Sequence, residues 1–496
     1  MQCSRLQAPP SFYDAQMTQT PSPENLSDLF NAQNAASREH IDVPLQVRRQ
    51  RLLTMKALIE EHSQTLAQAV QSDFGVRSLQ LTEIADLFVL RTLLSHTLKH
   101  LPKWMKPQKV STPLYLQPAS AYVQRQPLGV VGVISPWNYP VQLALGPVIT
   151  ALAAGNRVML KPSELTPATS KLLAELIGKA FAPDEVCVVL GDGANDVRLA
   201  AEFSSLPFDH LFFTGSTTVG RLVAKAAAAN LTPTTLELGG KSPCIIDASC
   251  DMDAAAVKIA HGKLLNAGQT CIAPDYVLVP KGSEAAFGHA FAQAVAKLFP
   301  TIAGNPDYAA IISERHHQRL RAMLASARQG GATLQVIDTG SENNAAQSPH
   351  RQMLPVLAFD VPADSQLMQE EIFGPILPVL AYESLSDAID YINARPRPLA
   401  LYWFGTDTFA RDKVLAQTVS GGVTVNDTLM HIAHANLPFG GVGESGWGSY
   451  HGEAGFLRLS MQKPVLVQSK WARGDLFYPP YGKRFDQVMG LLKRWL

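Results

Sequence analysis

The 496-residue sequence contains few cysteines, and they follow no recognisable pattern. The five are Cys3, Cys187, Cys244, Cys250 and Cys271. An odd, dispersed set without a CxxC pair argues against a disulfide framework and a structural zinc site, and it favours a reducing compartment. The histidine clusters, His316-His317 and His431-x-x-His434, are not accompanied by a set of acidic or cysteine residues nearby in the sequence. We therefore predict no metal site.

The sequence also has no excess of charge and no long apolar run. Lys plus Arg and Asp plus Glu both number 42, so no global field would attract nucleic acid or an anionic membrane. No apolar run reaches the roughly 18 residues that a membrane-spanning helix needs, and the polar segment up to Pro23 lacks the apolar core of a secretory signal. We expect a cytoplasmic protein that binds a small molecule, with no nucleic acid partner and no membrane span.

What the sequence does contain is a regular alternation of apolar strands and helices. Buried strands are predicted at Gly129–Ile134, Val158–Leu160 and Leu211–Phe213, and helical stretches such as Ser170–Phe181 lie between them. A second alternation begins near Gly240. Apolar strands separated by helices form parallel sheets that are covered on both faces. The chain is also too long for one ordinary core, so we predict an α/β fold with two doubly wound domains.

Two segments before the first strand are predicted to be architectural. An amphipathic helix is predicted from Thr82 to Leu101, where Pro102 should stop it. The proline-broken, strand-like stretch Pro107–Gln126 is typical of an edge hairpin that reaches out of its domain.

Cys271 is distinguished from the other cysteines by its surroundings. It ends the stretch Asn266–Cys271, in which Gly268 gives a permissive backbone between a predicted helix and the predicted strand Tyr276–Val279. A thiol on such a turn can face backbone N–H groups that stabilise a thiolate and later hold an oxyanion. The pattern favours a nucleophile, and the alternative is a small core residue.

Two other polar residues lie where acid–base or oxyanion chemistry is feasible. Glu237 ends an apolar run, where burial would raise its pKa toward that of a general base working near neutrality. The alternative for Glu237 is an ion pair with Lys241. Asn138, in the proline-bracketed loop Pro136–Pro140, could offer its amide to an oxyanion or could be an ordinary turn asparagine.

A glycine turn after a predicted strand indicates an anion site. Gly215, Ser216 and Gly220 lie where the strand ending near Phe213 meets an alanine-rich helix. A helix N-terminus favours phosphate through its unpaired N–H groups and its dipole. A tight strand–helix connection would explain the same pattern.

A second nucleotide signal follows another predicted strand. Lys161 and Glu164 are three residues apart, and together they could bind ribose hydroxyl groups, with the carboxylate accepting their hydrogen bonds. In the alternative interpretation, Pro162 and Ser163 simply begin a helix.

Seven motifs, in this order, resemble those of the aldehyde dehydrogenase superfamily. They are Pro136–Pro140, Lys161–Glu164, Gly215–Gly220, Glu237–Lys241, Gly268–Cys271, Glu370–Pro375 and Pro438–Gly441. The resemblance covers roughly residues 24–464. Tyr139, Asn266-Ala267 and Gly446–Gly452 are similar to the class-3 branch, which includes fatty-aldehyde, benzaldehyde-type and bacterial coniferyl aldehyde dehydrogenases. Leu476–Lys483 resembles the last of these groups.

The resemblance implies a domain organisation and an assembly. The fold would be aldehyde dehydrogenase-like, with a β-hairpin oligomerisation arm that makes a homodimer. The predicted parts are a disordered leader (1–23), a dinucleotide-binding domain (24–106 and 127–239), a catalytic domain (240–436), an oligomerisation arm and linker (107–126 and 437–470) and a C-terminal tail (471–496).

The resemblance also implies a mechanism. The Cys271 thiolate would add to the aldehyde, and the Asn138 side chain and the Cys271 backbone N–H would hold the oxyanion. Glu237 would activate the water that hydrolyses the resulting thioester. The competing interpretations are a coenzyme-A-acylating enzyme, which would need no base for water, and a binding protein without catalysis.

The implied cofactor is NAD, with NADP as the alternative. Lys161, Glu164 and Glu371 would hold the ribose rings, because the family uses these positions for that purpose. Gly215, Ser216 and Gly220 would shape the pyrophosphate turn, and Phe373 would lie against the nicotinamide.

Aromatic residues implied to line the substrate tunnel indicate the type of aldehyde. Trp137 and Tyr139 flank Asn138, and Phe439 lies in the segment that borders the entrance in the family. Flat walls favour flat aldehydes through stacking. We predict an aromatic, coniferyl aldehyde-like substrate, and the alternative is a medium- or long-chain aliphatic aldehyde.

Overall fold

The computed structural model describes residues 23–191, 193, 196–340 and 351–494. Residues 1–22 of the predicted leader and residues 495–496 of the predicted tail lie outside this part of the chain. No helix among the described residues is both long and apolar enough to cross a membrane.

The helices and strands alternate along most of the chain. The helices are α1 (Pro23–Glu39), α2 (Leu45–Glu61), α3 (Ser63–Phe74), α4 (Leu79–Thr82), α5 (Phe88–Trp104), α6 (Gln142–Ala154), α7 (Pro167–Ala180), α8 (Asp196–Ser204), α9 (Thr217–Ala228), α10 (Met252–Leu264), α11 (Glu284–Leu298), α12 (Glu314–Gln329), α13 (Gln366–Gln369), α14 (Leu385–Asn393), α15 (Thr408–Gln417), α16 (Gly452–Arg458) and α17 (Lys483–Leu492). The strands are β1 (Gln108–Val110), β2 (Ser120–Pro127), β3 (Val130–Ile134), β4 (Arg157–Lys161), β5 (Val186–Val188), β6 (His210–Thr214), β7 (Thr234–Glu237), β8 (Pro243–Ile246), β9 (Tyr276–Pro280), β10 (Thr333–Val336), β11 (Val356–Phe359), β12 (Ile376–Tyr382), β13 (Ala400–Phe404), β14 (Gly422–Val425), β15 (Gly446–Trp447) and β16 (Ser460–Val467).

Two parallel sheets form the body of the protein. The first has six strands in the order β15-β7-β6-β3-β4-β5, and the second has seven in the order β10-β11-β12-β9-β8-β13-β14. Only the edge strands β15 and β10 pair antiparallel to their neighbours. The central strands are buried on both faces, which explains their continuous apolar sequences. The predicted α/β class with two doubly wound sheets is therefore confirmed.

The remaining three strands form a third, separate sheet. Its order is β1-β2-β16, with both pairings antiparallel, and β16 pairs with the whole of β2. Apolar residues on it and on the adjoining turn are exposed to solvent, among them Leu114, Tyr115, Leu466 and Val467. The hairpin predicted at 107–126 thus pairs with a strand from the end of the chain.

The prediction that Pro102 stops its helix is wrong. Helix α5 continues past Pro102 to Trp104, and it is preceded by a π-helical turn at Glu83–Leu87. A proline inside a helix leaves the carbonyl group four residues earlier without its partner. Here that carbonyl, of Leu98, accepts a hydrogen bond from Nη1 of Arg49 at 3.4 Å, so the helix tolerates the proline.

One buried asparagine joins the first parallel sheet to the end of the chain. Asn156 lies between α6 and β4, and its Oδ1 accepts the N–H groups of Leu128 (2.7 Å) and Gly129 (3.1 Å). Its Nδ2 donates to the carbonyl of Leu459 at 2.8 Å, just before β16. The Asn156 side chain thus holds together two backbone segments that are far apart in the sequence.

We predict that Asn156→Ala destabilises the protein. The substitution leaves buried backbone groups unpaired, and each such group costs roughly 1–3 kcal/mol in the free energy of unfolding. The urea midpoint followed by circular dichroism should fall clearly. The matched control is Asn230→Ala, which removes an exposed asparagine that donates to the Ser205 carbonyl. Equal midpoints for the two variants would contradict the junction role of Asn156.

Candidate active site

Cys271 follows a left-handed turn that leaves helix α10. Asn266, Ala267 and Gly268 have φ angles of 53°, 52° and 77°. For residues other than glycine this region costs of order 1 kcal/mol each, so the surroundings must hold the turn. Gly268 is required for a second reason, because a Cβ atom there would collide with the carbonyl of Gly374 and would lie 3.0 Å from that of Lys263.

The side chain of Gln269 holds the turn from within. Its Nε2 donates to the carbonyl of Asn266 (2.9 Å) and to that of Ala310 (3.0 Å). Its Oε1 accepts the N–H of Ile312 at 2.9 Å. Gln269 is fully buried, so these bonds form away from competing water and fix the backbone that leads to Cys271.

The structure brings Asn138 to this same turn. The loop Pro136–Pro140 follows β3, and the Nδ2 of Asn138 donates to the carbonyl of Gln269 at 3.1 Å. An amide group has two N–H donors, and this bond uses one of them. The neighbouring Tyr139 contacts the turn as well, with its hydroxyl 2.6 Å from Oγ1 of Thr270.

Cys271 as a residue is partly exposed. Its pKa is raised to about 12, first because burial disfavours the thiolate and then because of the charges of Glu371 and Glu237. The backbone N–H groups of Cys271 and Ile272 act in the opposite direction. Without ligand the residue is therefore a thiol at neutral pH, beside donors that favour negative charge.

Glu237 ends β7 in an unusual environment. Its side chain is only 3% exposed, and neither carboxylate oxygen has a hydrogen-bond partner among the described residues. Burial raises its pKa well above the usual value. Lys241 is not its partner, because the Lys241 ammonium pairs with Asp275 and donates to the carbonyl of Glu370 at 3.0 Å.

Glu371 is a second carboxylate close to the nucleophile. Its carboxylate occupies the space in which a Cβ on Gly239 would lie, and the N–H of Gly240 stabilises its charge. Its pKa is raised to about 8, first by desolvation and then by the charge of Asp275. The resemblance to the family implied that Glu371 binds a ribose. In the structure, the charge of Glu371 also raises the pKa of Cys271.

A cleft of about 1030 Å³ opens beyond the carboxyl ends of β4 and β5. Its walls include Lys161, Ser163 and Glu164, and Nζ of Lys161 lies 3.4 Å from Oε2 of Glu164. Helix α7 begins only at Pro167, so Pro162 and Ser163 do not begin it. An ammonium and a half-exposed carboxylate at the edge of a cleft this large suit the hydroxyl groups of a nucleotide.

The predicted phosphate turn is hydrogen-bonded to the backbone of Glu237. The N–H of Gly215 donates to the Glu237 carbonyl at 3.0 Å, and the Ser216 hydroxyl caps α9 by accepting the N–H of Val219 at 3.4 Å. A Cβ on Gly220 would lie 2.6 Å from the Leu238 side chain. Gly220 thus lets α9 pack closely on the sheet at this point.

Trp137 and Phe439, both predicted to line the substrate tunnel, lie in two separate places. Trp137 makes edge-on contacts with Phe373 (5.4 Å between ring centroids) and His316 (5.1 Å). Phe439 is buried instead in a stack, 5.9 Å from the His431 ring and 5.3 Å from that of His451. Its neighbour Gly440 borders Glu237, because a Cβ there would lie 3.2 Å from Oε1.

Three residues that were not predicted to belong to the site lie in it. Phe74 lies 6.4 Å from the Trp137 ring, and His316 packs against the same ring. The guanidinium of Arg77 donates to the Asn138 carbonyl at 2.6 Å. None of them belongs to a local motif, and their distance from the site along the chain leaves no spacing signal.

Comparisons with known proteins identify the family of this chain. A model of the aldehyde dehydrogenase family matches residues 16–465. The chain is 49% identical over 467 residues to the "Probable coniferyl aldehyde dehydrogenase" of Pseudomonas aeruginosa, which covers 94% of this chain and 95% of that protein. It is 44% identical over 470 residues to the "Coniferyl aldehyde dehydrogenase" of a Pseudomonas species, over 95% and 96%. The solved structure "Substrate bound state of Staphylococcus Aureus AldH" is 36% identical, with a TM-score of 0.85 over 94% of this chain and 99% of that one.

The raised pKa of Cys271 predicts how the free enzyme reacts with iodoacetamide. Because the thiolate is the reactive form, alkylation of Cys271 should rise about tenfold per pH unit from pH 6 to about 10 without a plateau. The measurement is mass spectrometry of the Cys271 peptide, since Cys250 is also partly exposed. N-acetylcysteine, whose pKa is ordinary, is the control. A plateau for Cys271 at or below about pH 8.5 would contradict the assigned electrostatics.

Proposed function

The chain belongs to the aldehyde dehydrogenase family, and on that basis we propose that it oxidises coniferyl aldehyde, or a closely similar aromatic aldehyde, to the carboxylic acid. NAD(P)-dependent aldehyde oxidation follows from membership of the family. The choice of substrate is carried by the relatives of 44–49% identity that are named for coniferyl aldehyde. The aromatic contact between Trp137 and Phe373 supports it, because a flat substrate would stack on such a surface.

The first chemical step is addition of the Cys271 sulfur to the aldehyde carbon. The carbonyl oxygen takes the negative charge as the C–S bond forms and the C=O π bond breaks. The Asn138 amide and the backbone N–H of Cys271 are the donors that stabilise this oxyanion. The thiol must first lose its proton to water, against the charges of Glu371 and Glu237, which raise its pKa.

The residues of the large cleft, together with the phosphate turn and Glu371, fit a dinucleotide. Lys161 and Glu164 would hold one ribose, and Glu371 the other, while Gly215 and Ser216 would face the pyrophosphate at the start of α9. When bound, the cofactor supplies the acceptor for the hydride that leaves the thiohemiacetal carbon. The partly exposed Phe373 beside Trp137 would flank the nicotinamide.

Hydrolysis of the Cys271 thioester needs a base. Glu237 would take a proton from water as the water oxygen attacks the thioester carbon and the C–S bond breaks, releasing acid and thiol. A carboxylate with a raised pKa accepts a proton more readily once ionised. The absence of any hydrogen-bond partner for its oxygens among the described residues leaves them free to bind that water.

We propose NAD as the preferred cofactor. Glu164 is half-exposed at the cleft, and its charge would repel the additional phosphate of NADP. Lys161, only 3.4 Å away, offsets part of that repulsion. A measurable activity with NADP is therefore compatible with this arrangement.

We propose a homodimer joined through the three-stranded sheet. The exposed apolar residues Leu114, Tyr115, Leu466 and Val467 lie on this sheet or its turn, and burying them against a second copy would remove them from water. A cytoplasmic location is also proposed, because Cys187, Cys244, Cys250 and Cys271 are all free thiols, which suits a reducing compartment.

The proposed role of Glu237 as the base for thioester hydrolysis predicts a burst of reduced cofactor when this residue is replaced. With Glu237→Gln, one equivalent of reduced cofactor should form quickly, and turnover should then slow by about 10²–10⁴-fold as the thioester accumulates. Stopped-flow absorbance of the reduced cofactor measures both phases. The control is Glu371→Gln, which we expect to raise the KM for cofactor without a stall. Slow formation of the first equivalent in Glu237→Gln would assign Glu237 to an earlier step, and a stall in the control would move the base role to Glu371.

The aromatic contact between Trp137 and Phe373 predicts the order of substrate preference. We expect kcat/KM to be highest for coniferyl aldehyde, followed by benzaldehyde, hexanal and decanal, with NAD better than NADP. Trp137→Leu should lower the ratio for coniferyl aldehyde over hexanal by about 2–10-fold, since an aromatic pair contributes roughly 0.5–1.5 kcal/mol beyond burial. A rise with aliphatic length that exceeds both aromatic compounds would place the enzyme with the fatty-aldehyde group instead.

A further inference from the structure

A fully buried ion pair lies outside all seven motifs. Arg77 and Asp86 both have side chains of 0% exposure, with Nη2 and Oδ2 2.6 Å apart. Burial of two charges costs several kcal/mol per ion unless excellent geometry and further hydrogen bonds compensate. Such a pair is therefore a poor choice for stability alone, and its other hydrogen bonds indicate what it holds.

Asp86 holds the start of helix α6. It lies in the π-helical turn Glu83–Leu87, a rare local form that brings its carboxylate inward. Its Oδ1 accepts the N–H groups of Val141 (3.2 Å) and Gln142 (3.0 Å). These groups directly follow the loop Pro136–Pro140, so Asp86 anchors one end of the loop that carries Asn138.

Arg77 joins that loop to the turn before Cys271. Its Nη1 donates to the Asn138 carbonyl at 2.6 Å and to Oδ1 of Asn266 at 3.2 Å. Asn266 in turn donates from Nδ2 to the same Asn138 carbonyl at 3.0 Å. The Arg77 guanidinium also lies over the rings of Phe74 (4.8 Å) and Tyr139 (5.1 Å), which restricts its orientation.

We propose that Arg77, oriented by Asp86, is a positioning residue that fixes the Asn138 amide relative to Cys271 for oxyanion stabilisation. The inference rests on the proposed role of Asn138. An asparagine side chain has two torsions, so its amide is placed largely by its own backbone, and Arg77 binds that backbone directly. A lysine keeps the charge but lacks the planar fork that reaches Asp86, Asn138 and Asn266 together.

The test is a set of double-mutant cycles on the first chemical step. Arg77→Lys and the paired change Arg77→Met with Asp86→Asn are each made with Asn138 intact and with Asn138→Ala. The paired change leaves no charge buried, and its asparagine can still accept from Val141 and Gln142, so it serves if Arg77→Lys does not fold. The readout is the single-turnover rate of cofactor reduction with coniferyl aldehyde, beside the Kd of NAD.

We expect Asn138→Ala to slow the step by about 10²–10³-fold, as for loss of an oxyanion donor. Each Arg77 change should slow it by about 10²-fold through misplacement of that donor, with the Kd of NAD unchanged. Combined with Asn138→Ala, neither change should slow the step by more than about a further threefold, because the group being positioned is already gone.

Multiplicative slowing in the combined variants would overturn the positioning role while leaving the Asn138 assignment intact. A wild-type rate in the Arg77 variants would do the same. If Asn138→Ala alone has no effect, both the oxyanion assignment and the inference built on it fail. The control is Arg51→Lys, which alters another buried arginine, paired with Glu185 at 2.7 Å. It should lower the Tm and leave the single-turnover rate within about twofold, because Arg51 makes no bond to the loop or the turn among the described residues.

Discussion

Three consecutive residues before the nucleophile, Asn266, Ala267 and Gly268, hold left-handed backbone conformations. Two of them are not glycine, so the chain would relax from this shape without external support. That support comes from two fully buried side chains that hydrogen-bond to the turn, Gln269 from within it and Arg77 from outside it. The orientation of the Cys271 thiol, its backbone donors and its distance from the Asn138 amide all depend on this one turn.

The electrostatics of the site follow from the same enclosure. Cys271, Glu237 and Glu371 are three acids whose pKa values are all raised, and in each case desolvation is the largest cause. The charges of Glu371 and Glu237 raise the pKa of Cys271 further, since another negative charge in a poorly hydrated space is costly. The free enzyme therefore keeps the Cys271 thiol protonated near pH 7, and burial shifts Glu237 toward its neutral form. Forming the thiolate is unfavourable until bound ligands change the surroundings of the thiol. In the absence of substrate, the protonated thiol is protected from oxidation and alkylation.

Residues within local motifs were predictable, and residues that act across the chain were not. Cys271 and Glu237 could be found because each ends a recognisable strand or turn. The alternating apolar pattern likewise predicted the two parallel sheets, because buried strands must be apolar on both faces. Arg77 and Asp86 gave no signal, since Asp86 lies in a segment that predicts only an amphipathic helix and Arg77 precedes that segment. Asn138 and Val141, which they bind, are more than fifty residues away along the chain. The prediction for Pro102 was wrong for a related reason. The Leu98 carbonyl, which the proline leaves without its helical partner, accepts a hydrogen bond from Arg49 in another helix.

The central claim is that catalysis passes through an acyl group on the sulfur of Cys271. The most direct test is rapid acid quench of the enzyme mixed with NAD and coniferyl aldehyde, followed by mass spectrometry of the intact protein and of its peptides. We expect a transient mass increase equal to the acyl group, confined to the peptide that contains Cys271. The increase should be absent from Cys271→Ala, which should also lose turnover while still binding NAD. Turnover that persists in Cys271→Ala, or an acyl group found on a different residue, would contradict this claim.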